Sequence, residues 1–484
     1  MNVNFIINEA IKLHLKGKLY KAKELYEKII KFDQDNLIAN GNLGALLNAK
    51  RNYKKALYFL EKALSIKPNY LEALNNKGIS LRGLNQYEEA LKLYDQILNI
   101  KPNFIDALNN KGNCLRNLNL IDEAINVYNQ ALKLKPNFVD ALYNLAICFH
   151  SIGNFDEAIK KYNKAIEFYP DFIDAHYNLG MLQLLKGNFH DGLKNYEWRK
   201  KRSPLKEALK LIDKKKEWDG NKSLKNKEIF IYKEQGLGDY IQYSRFLPII
   251  YNMGAKIILD VPKSIKALID TMNFKYEIMD KPNTRQYDYC CSLISLPYLL
   301  GTELNNIPKN VPYIFTPKNE KDNWFKKLNT NKDYLVGIKW SGNPNNKEDK
   351  NRSMKLKEMK PLFDLPFQFH SLDFELSDED KKILSEKKNV VFHEKDLLGM
   401  EKTAGLIENL DLVISVDTSI AHIASSIGKP VWLLLSYLHD SRWMLNRDDS
   451  PWYPNLTIIK QTKHNNWSEV IKIVNKKLKN HFNS

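Results

Sequence analysis

Cysteine is scarce in this chain, with four in 484 residues. Cys114, Cys148, Cys290 and Cys291 build neither the even framework of a small disulfide-stapled domain nor a C-x-x-C metal spacing, so reduced core thiols of a cytoplasmic protein are expected. Long apolar runs are missing too. No stretch approaches the roughly 18 consecutive apolar residues of a spanning helix, and Glu9 and Lys12 interrupt MNVNFIINEAIKLHLK before a signal-type core can form. Membrane insertion and export are therefore not expected. With no H-E-x-x-H and no Cys/His cluster at ligand spacing, no resident metal is expected either. Acidic residues number 57 against 74 Lys plus Arg, a formal charge of +17. That excess is diffuse, +7 over residues 1–200 and +10 over the rest. A nucleic-acid binder concentrates its basic residues in one stripe, so nucleic acid is not an expected partner.

What is present is a soluble-globular composition, 43% hydrophobic and 27% charged, in a length that suits about three domain-sized units of roughly 100–200 residues each. The first 200 residues repeat. Pro68, Pro102, Pro136 and Pro170 lie 34 apart, as do Ala22, Ala56, Ala90, Ala124 and Ala158, with Gly192 in the sixth place. Gly44, Gly78, Gly112 and Gly180 keep the same period, with Ala146 in the missing slot, and Tyr26, Leu60, Tyr94, Tyr128, Tyr162 and Tyr196 follow one turn on from the alanine column. Small side chains let paired helices approach closely, and proline stops a helix because it lacks an N–H and clashes with the preceding turn. The pattern resembles the tetratricopeptide repeat, about five and a half copies of which are expected to stack into an all-α superhelix.

Asn42, Asn76, Asn110, Asn144 and Asn178 form one further column, two residues before the small residue of each first helix. Packing does not require asparagine there. Because an amide both donates and accepts, a ladder of them suits an extended peptide backbone without reading its sequence. The column is similar to the asparagine ladder in the superhelix of O-linked N-acetylglucosamine transferase, which implies a groove for a protein acceptor. The alternative is that these amides solvate the inner face of a chain rich in asparagine.

After residue 200 the period stops, and a charged stretch ending in KKKEWDGNKSLKNK reads as a linker over 201–224. Short apolar runs then alternate with helical segments, the signature of α/β units. IFIY (229–232) and KIILDV (256–261) belong to one set. YLVGIKW (334–340), FQFHSL, NVVFH, DLVISV (411–416) and VWLLL (431–435) belong to a second, and a helical polar connector lies between them. The expected plan is two Rossmann-like domains, 225–318 and 333–484, joined through 319–332, with ligands at the carboxyl ends of the strands.

Three loops there carry unusual residues. In EQGLGD, Gly236 and Gly238 permit close backbone approach and Asp239 stands at a helix start; taken alone, Asp239 is equally a cap. The second is Trp340-Ser341-Gly342-Asn343-Pro344, followed by the charged loop 345–351 and Arg352. It offers small polar groups with Lys350 and Arg352 for a phosphate, or a solvated surface loop. The third, Asp417-Thr418-Ser419, opens a helix whose unpaired N–H groups and dipole attract anions, with His422 close enough to add a donor. Capping by Asp417 or Ser419 explains each residue singly but not their combination.

EQGLGDYIQYSRFLP, WSGNPNNKEDKNRSM and SVDTSIAHIASSIGKPVWLLL, in this order, resemble glycosyltransferase family 9, the heptosyltransferase-like enzymes of the GT-B fold. The tail SRWMLNRDDSPWYPNLTIIKQ resembles bacterial proteins that join tetratricopeptide repeats to such a domain. The resemblance implies inverting, metal-independent transfer of a sugar from a nucleotide-sugar donor, with no other cofactor. It casts Asp239 as the general base and Gly238, Ser341, Gly342 and Asn343 as donor-side residues. Asp417, Thr418, Ser419 and His422 take the place of the pyrophosphate loop, and Arg352 or Lys350 that of the basic group at the leaving nucleotide. RSM lacks the aromatic and proline residues that family members carry around this arginine. Asp378-Glu379-Asp380 has the D-x-D form of a metal motif, but Ser377 before it marks a helix start rich in acids. Trp443, Trp452 and Tyr453 are expected to pack the domain rather than stack on a base. The leading expectation is a glycosyltransferase acting on a protein held by the repeats. The alternatives are a recruiting scaffold with an inactive glycosyltransferase-like domain and an enzyme acting on a surface glycan of the lipopolysaccharide type. The oligomeric state is open.

Overall fold

The 34-residue period sets the architecture of the first part of the molecule. The structure, a computed structural model, describes all residues except 1–2, 235, 280–284, 329–333, 344–348, 374 and 483–484, and the side chains of Lys350, Asn351, Lys395, His481 and Phe482 are likewise outside the description. The chain forms two compact units, Met1–Ala175 and His176–Ser484. In the first, five helix pairs follow one another: Val3–Leu15 with Leu19–Phe32, Leu37–Ala49 with Tyr53–Ile66, Leu71–Gly83 with Tyr87–Ile100, Ile105–Asn117 with Ile121–Leu134, and Val139–Ser151 with Phe155–Phe168. The alanine column is fully buried, and so are Tyr26, Leu60, Tyr94, Tyr128 and Tyr162. These two columns explain the third. A Cβ on Gly78 would lie 2.5 Å from the Tyr94 ring, one on Gly112 2.6 Å from Tyr128, and one on Gly44 would run into Leu60. The large residue of the second helix therefore occupies the space that the glycine of the first leaves vacant. Helices end at Ile66, Ile100, Leu134 and Phe168, each one residue short of the position before proline, which the proline ring drives out of the helical region.

One column was not read from the sequence. The residue that turns the first helix of a pair into the second has a left-handed backbone at Gly17, Arg51, Asn85, Asn119 and Gly153, with φ between 58° and 78°. Glycine and asparagine tolerate that conformation; Arg51 holds it against a steric penalty.

The second unit begins at His176, so the boundary falls inside the sixth repeat, within helix Ile173–Leu185, and not after residue 200. The stretch expected as a linker is also packed. Trp218 and Leu224 are buried with the apolar core of this unit, and the Trp218 backbone N–H donates to the Cys290 carbonyl at 2.8 Å. A tryptophan this large leaves water whenever a sheet face is within reach, which charge composition alone does not reveal.

Two parallel sheets follow. The first contains β1 (Glu228–Tyr232), β2 (Lys256–Leu259), β3 (Tyr276–Ile278) and β4 (Tyr289–Ser292) in the order β3-β2-β1-β4. The second contains β5 (Leu335–Lys339), β6 (Gln368–Ser371), β7 (Val390–Phe392), β8 (Leu412–Val416), β9 (Val431–Leu435) and β10 (Leu456–Lys460) in the order β10-β9-β8-β5-β6-β7. Every residue of β5 and β8 is buried, as in parallel strands covered on both faces, and this is why they read as mainly apolar runs, broken by Lys339 at the end of β5 and Ser415 in β8. One apolar cluster passes through both halves, joining Ile231 of β1 to Val413 of β8, and it takes in Leu184, Phe189 and Leu193 from the last helix pair. A second packs Val470 and Val474 of the terminal helix Trp467–Phe482 against Val336 and Ile338.

Candidate active site

Open parallel sheets bind ligands where the strand order reverses, at the carboxyl ends of the two strands that flank the reversal. Those points lie between β1 and β4 in the first sheet and between β5 and β8 in the second. The three loops singled out in the sequence leave β1, β5 and β8, so the topology alone brings them to the right ends.

The first loop is shaped by glycine. Gly236 has φ 101°, and a Cβ there would lie 2.5 Å from Oδ2 of Asp239. Helix Leu237–Ser244 starts immediately after, placing Asp239 in its first turn. Gly238 is where the two α/β halves meet: a Cβ would lie 2.8 Å from Cδ2 of His422, a residue of helix Ser419–Ser426 in the other half. Asp239 is paired with Arg442, Nη2 to Oδ1 2.6 Å. Burial pushes its carboxyl above the ordinary range, Arg442 opposes that, and the nearby carboxylates Asp440 and Asp417 reinforce it. A carboxyl raised by burial at the carboxyl end of a parallel strand has the state a general base requires. Gln235 lies outside the described residues.

In the third loop, Thr418 occupies the N-cap position of helix Ser419–Ser426, but its hydroxyl meets Ser415 at 3.2 Å and does not cap. Neither Asp417 nor Ser419 is the cap. The Asp417 carboxylate accepts from the Trp443 indole at 3.0 Å, and Ser419 is half-buried as the first helical residue. The first N–H groups of this helix are thus left without a side-chain acceptor among the described residues, the arrangement that suits an anion. His422 is placed differently from expectation. It is 2% exposed, its Nδ1 lies 2.9 Å from the Tyr453 hydroxyl, and its Nε2 lies 3.5 Å from Nη1 of Arg442. Arginine only donates, so Nε2 is the unprotonated nitrogen and the Nδ1 hydrogen goes to Tyr453. Burial and the Arg442 charge push its pKa well below 6.5. A buried ring with Tyr453 at one nitrogen and Arg442 at the other braces the loop from within.

The second loop folds back on itself. The Gly342 N–H donates to the Ser353 hydroxyl at 2.8 Å, Ser353 donates to Asp349 at 2.8 Å, and Arg352 Nε pairs with Asp349 at 3.1 Å. A Cβ on Gly342 would run into Asp349 and lie 2.8 Å from Nη2 of Arg352, so this glycine admits the arginine. Ser341 and Gly342 are half-buried and Asn343 is exposed. Arg352 also acts electrostatically on Asp417. Residues 344–348 and the Lys350 side chain lie outside the described residues. Asp378-Glu379-Asp380 forms the first turn of helix Asp378–Ser385, capped by Ser377 accepting from the Asp380 N–H at 3.1 Å. Among the described residues no three His, Cys, Asp or Glu side chains gather as a metal site.

The asparagine column stands on the first helices of the repeats, but its amides differ in their bonding. Asn76 donates to its own helix at Glu72, whereas Asn110 donates to Asn75 at 3.0 Å and Asn144 to Asn109 at 3.1 Å in the preceding repeat. Asn42 is half-buried, and Asn178 belongs to the second unit.

Sequence reasoning missed several site residues. Arg442, with Asp440, sits in an aromatic-rich tail whose three rings, Trp443, Trp452 and Tyr453, are buried as expected. Its charged pair inside that run was the available signal. Lys339 and Asp373 form a buried pair at the ends of β5 and β6, and among the described residues Asp373 Oδ2 has no hydrogen-bond partner. Burial raises the Asp373 carboxyl against the opposing pull of Lys339.

Tetratricopeptide-repeat models match residues 35–103, 112–153 and 148–187, and the model of glycosyltransferase family 9 (heptosyltransferase) matches residues 384–478. That last match includes the Asp417 loop and Arg442; Asp239 and the Ser341 loop lie before it. Among solved structures, YrrB, a TPR protein with an unusual peptide-binding site, is 27% identical over 36% of this chain and 89% of its own, with a TM-score of 0.29. A thermophilic TPR protein of Thermus thermophilus is 21% identical over 38% and 99%, with a TM-score of 0.35. PilW, a type IV pilus biogenesis factor, is 22% identical over 43% and 98%, with a TM-score of 0.38. Among curated proteins none matches the chain. The chain thus joins tetratricopeptide repeats to a glycosyltransferase domain, and its two parallel-sheet halves are those of the GT-B fold.

Proposed function

We propose that this glycosyltransferase moves a sugar from a nucleotide-sugar donor to a hydroxyl of a polypeptide held by the repeats, with inversion and without a metal. The carrying observation is the convergence of Asp239 from the first half with the open helix start at Thr418–Ser419 from the second, in contact through Gly238 and His422. The acceptor O–H proton passes to Asp239, the oxygen bonds to the anomeric carbon, and the bond from that carbon to the diphosphate breaks with its electron pair going to the phosphate oxygen. The N–H groups opening helix Ser419–Ser426 and the Arg352 guanidinium meet the negative charge that develops there, where fixed donors act most strongly. Asp373 follows β6, the strand beside β5, which is where nucleotide-binding sheets carry the acidic residue that meets ribose hydroxyls.

The test is calorimetric binding of UDP-, GDP-, ADP-, CMP- and dTDP-sugars in EDTA, with Asp417→Ala in parallel. One donor should bind saturably and lose affinity in the variant, and Asp239→Asn should abolish transfer while leaving donor binding intact. Full turnover by Asp239→Asn, or binding that needs a divalent cation, would overturn the reading. One observation favours a glycan acceptor instead: the amides of Asn110 and Asn144 are already bonded across repeats. Under that reading Asn76→Ala combined with Asn110→Ala leaves transfer untouched, whereas a peptide groove predicts a weaker acceptor KM.

A further inference from the structure

Arg442 sits where the two α/β halves meet, and its fork reaches both. Nη2 binds Asp239 at 2.6 Å and Asp440 at 3.1 Å, while Nη1 binds Gln242 at 3.1 Å and faces Nε2 of His422 at 3.5 Å. Asp239 and Gln242 lie one turn apart on helix Leu237–Ser244 of the first half; His422 and Asp440 belong to the second. The backbone that carries the arginine is itself fixed. Its N–H donates to Asp440 at 3.0 Å, its carbonyl accepts from the Trp452 indole at 3.1 Å, and the following Trp443 is buried with its indole on Asp417. Leu445 N–H then bonds the Leu185 carbonyl at 2.9 Å. A planar guanidinium with its N–H groups in a rigid fork makes these contacts together; a lysine ammonium on a flexible stem does not.

We propose that Arg442 is a positioning residue: it clasps helix Leu237–Ser244 to the second half and holds the Asp239 carboxylate at the reacting end of the cleft. This deepens the reading in which Asp239 is the general base and rests on it. The charge on Asp239 needs such a partner. The groups that act on it are the carboxylates Asp440 and Asp417 and the hydroxyls of Tyr177, Tyr196 and Tyr243, with Arg442 as the cation bonded to it. In a buried site crowded with acids, a carboxylate without a cation takes up a proton and ceases to be a base.

Amide hydrogen exchange of the full chain at pH 7, wild type against Arg442→Gln and Arg442→Lys, tests the clasp without requiring activity. The expected result is exchange about tenfold faster over residues 237–244 in Arg442→Gln, a smaller rise in Arg442→Lys, and no change in β5 and β8. Nucleoside diphosphate release from the bound donor, followed from pH 5 to 9, tests the charge. Its acid limb should move to higher pH in Arg442→Gln, and guanidinium ion should partly restore Arg442→Gly. Unchanged exchange at 237–244 overturns the proposal. So does an acid limb that does not move although Asp239→Asn has lost turnover, or a tenfold loss of nucleoside diphosphate affinity with exchange unaltered, which would make Arg442 a phosphate ligand. If Asp239→Asn retains turnover while exchange behaves as expected, the base assignment fails and the clasp stands.

Discussion

Replacing Gly238 by alanine tests the contact on which the site depends. The new methyl would lie 2.8 Å from Cδ2 and 3.2 Å from Nε2 of His422. Carbon atoms rest at roughly 3.5–4.0 Å, so about 0.7 Å of movement is required. The ring has little freedom to give it, being buried, bonded to Tyr453 at 2.9 Å and stacked 5.4 Å from Trp443. Overpacking of this kind costs about 1–3 kcal/mol, and loss of the Tyr453 bond about 1 kcal/mol more. Alanine returns at most about 1 kcal/mol of helix propensity, leaving a net loss of roughly 1–3 kcal/mol. At about 2 °C per kcal/mol, the unfolding transition of the second unit should fall by roughly 2–6 °C. Near-ultraviolet circular dichroism of the tryptophans follows the transition, and donor binding should weaken in step because the Asp417 loop is displaced. Gly301→Ala is the comparison, since Gly301 has φ 60° and nothing within 4 Å. It carries the backbone penalty of about 1–2 kcal/mol and leaves donor binding unchanged. A Gly238→Ala protein with wild-type melting and wild-type donor affinity would refute the close approach of the two halves.

The left-handed residue Arg51 predicts that Arg51→Gly stabilises the first unit by about 0.5–1 kcal/mol, read as a rise in the urea midpoint; a loss would show that its side chain matters more than its φ of 58°. Ser80, fully buried, donates to Asn48 Oδ1 at 2.6 Å between the second and third repeats. Ser80→Ala strands that oxygen and should destabilise the unit by about 1–3 kcal/mol in the same assay, and a change under about 0.3 kcal/mol would refute it. Burial holds His370 at about 3, His393 at about 4 and His422 well below 6.5. Unfolding frees these rings to protonate, so the unfolded state binds more protons below pH 6.5 and the stability of the second unit falls as pH drops from 6.5 toward 4. Each proton contributes about 1.4 kcal/mol per pH unit, so the three rings set the upper limit of the slope, and the raised carboxyls of Asp239, Asp373 and Asp417 subtract from it. Denaturation midpoints at pH 5, 6 and 7 that do not fall with pH would contradict the neutral state of these histidines.

The repeats were legible because their packing is local and periodic. Ala90, Gly78 and Tyr94 belong to columns that recur at 34-residue spacing, since each must fit a neighbour placed by the same short helix pair. Strands β5 and β8 were legible because burial on both faces leaves runs in which apolar residues dominate and do not alternate with polar ones. Strands β3 and β4 were not: YEI is half-exposed or exposed and YCCS mixes polar with small residues, so neither carries a period. Strand β10 lay in a tail read as packing.

By itself the sequence determined the repeat module, the α/β class of the remainder and the three loops that carry Asp239, Gly342 and Asp417, because turns, helix starts and small residues act over a few positions of chain. Tertiary structure alone decided that the last helix pair packs with the enzyme half, that His422 faces inward to Tyr453, and that Arg442 joins Asp239 to the second half. Those contacts link residues 31 to 203 positions apart, and no local spacing encodes which distant partner fills a buried site; only burial, charge balance and the room left by Gly238 select it.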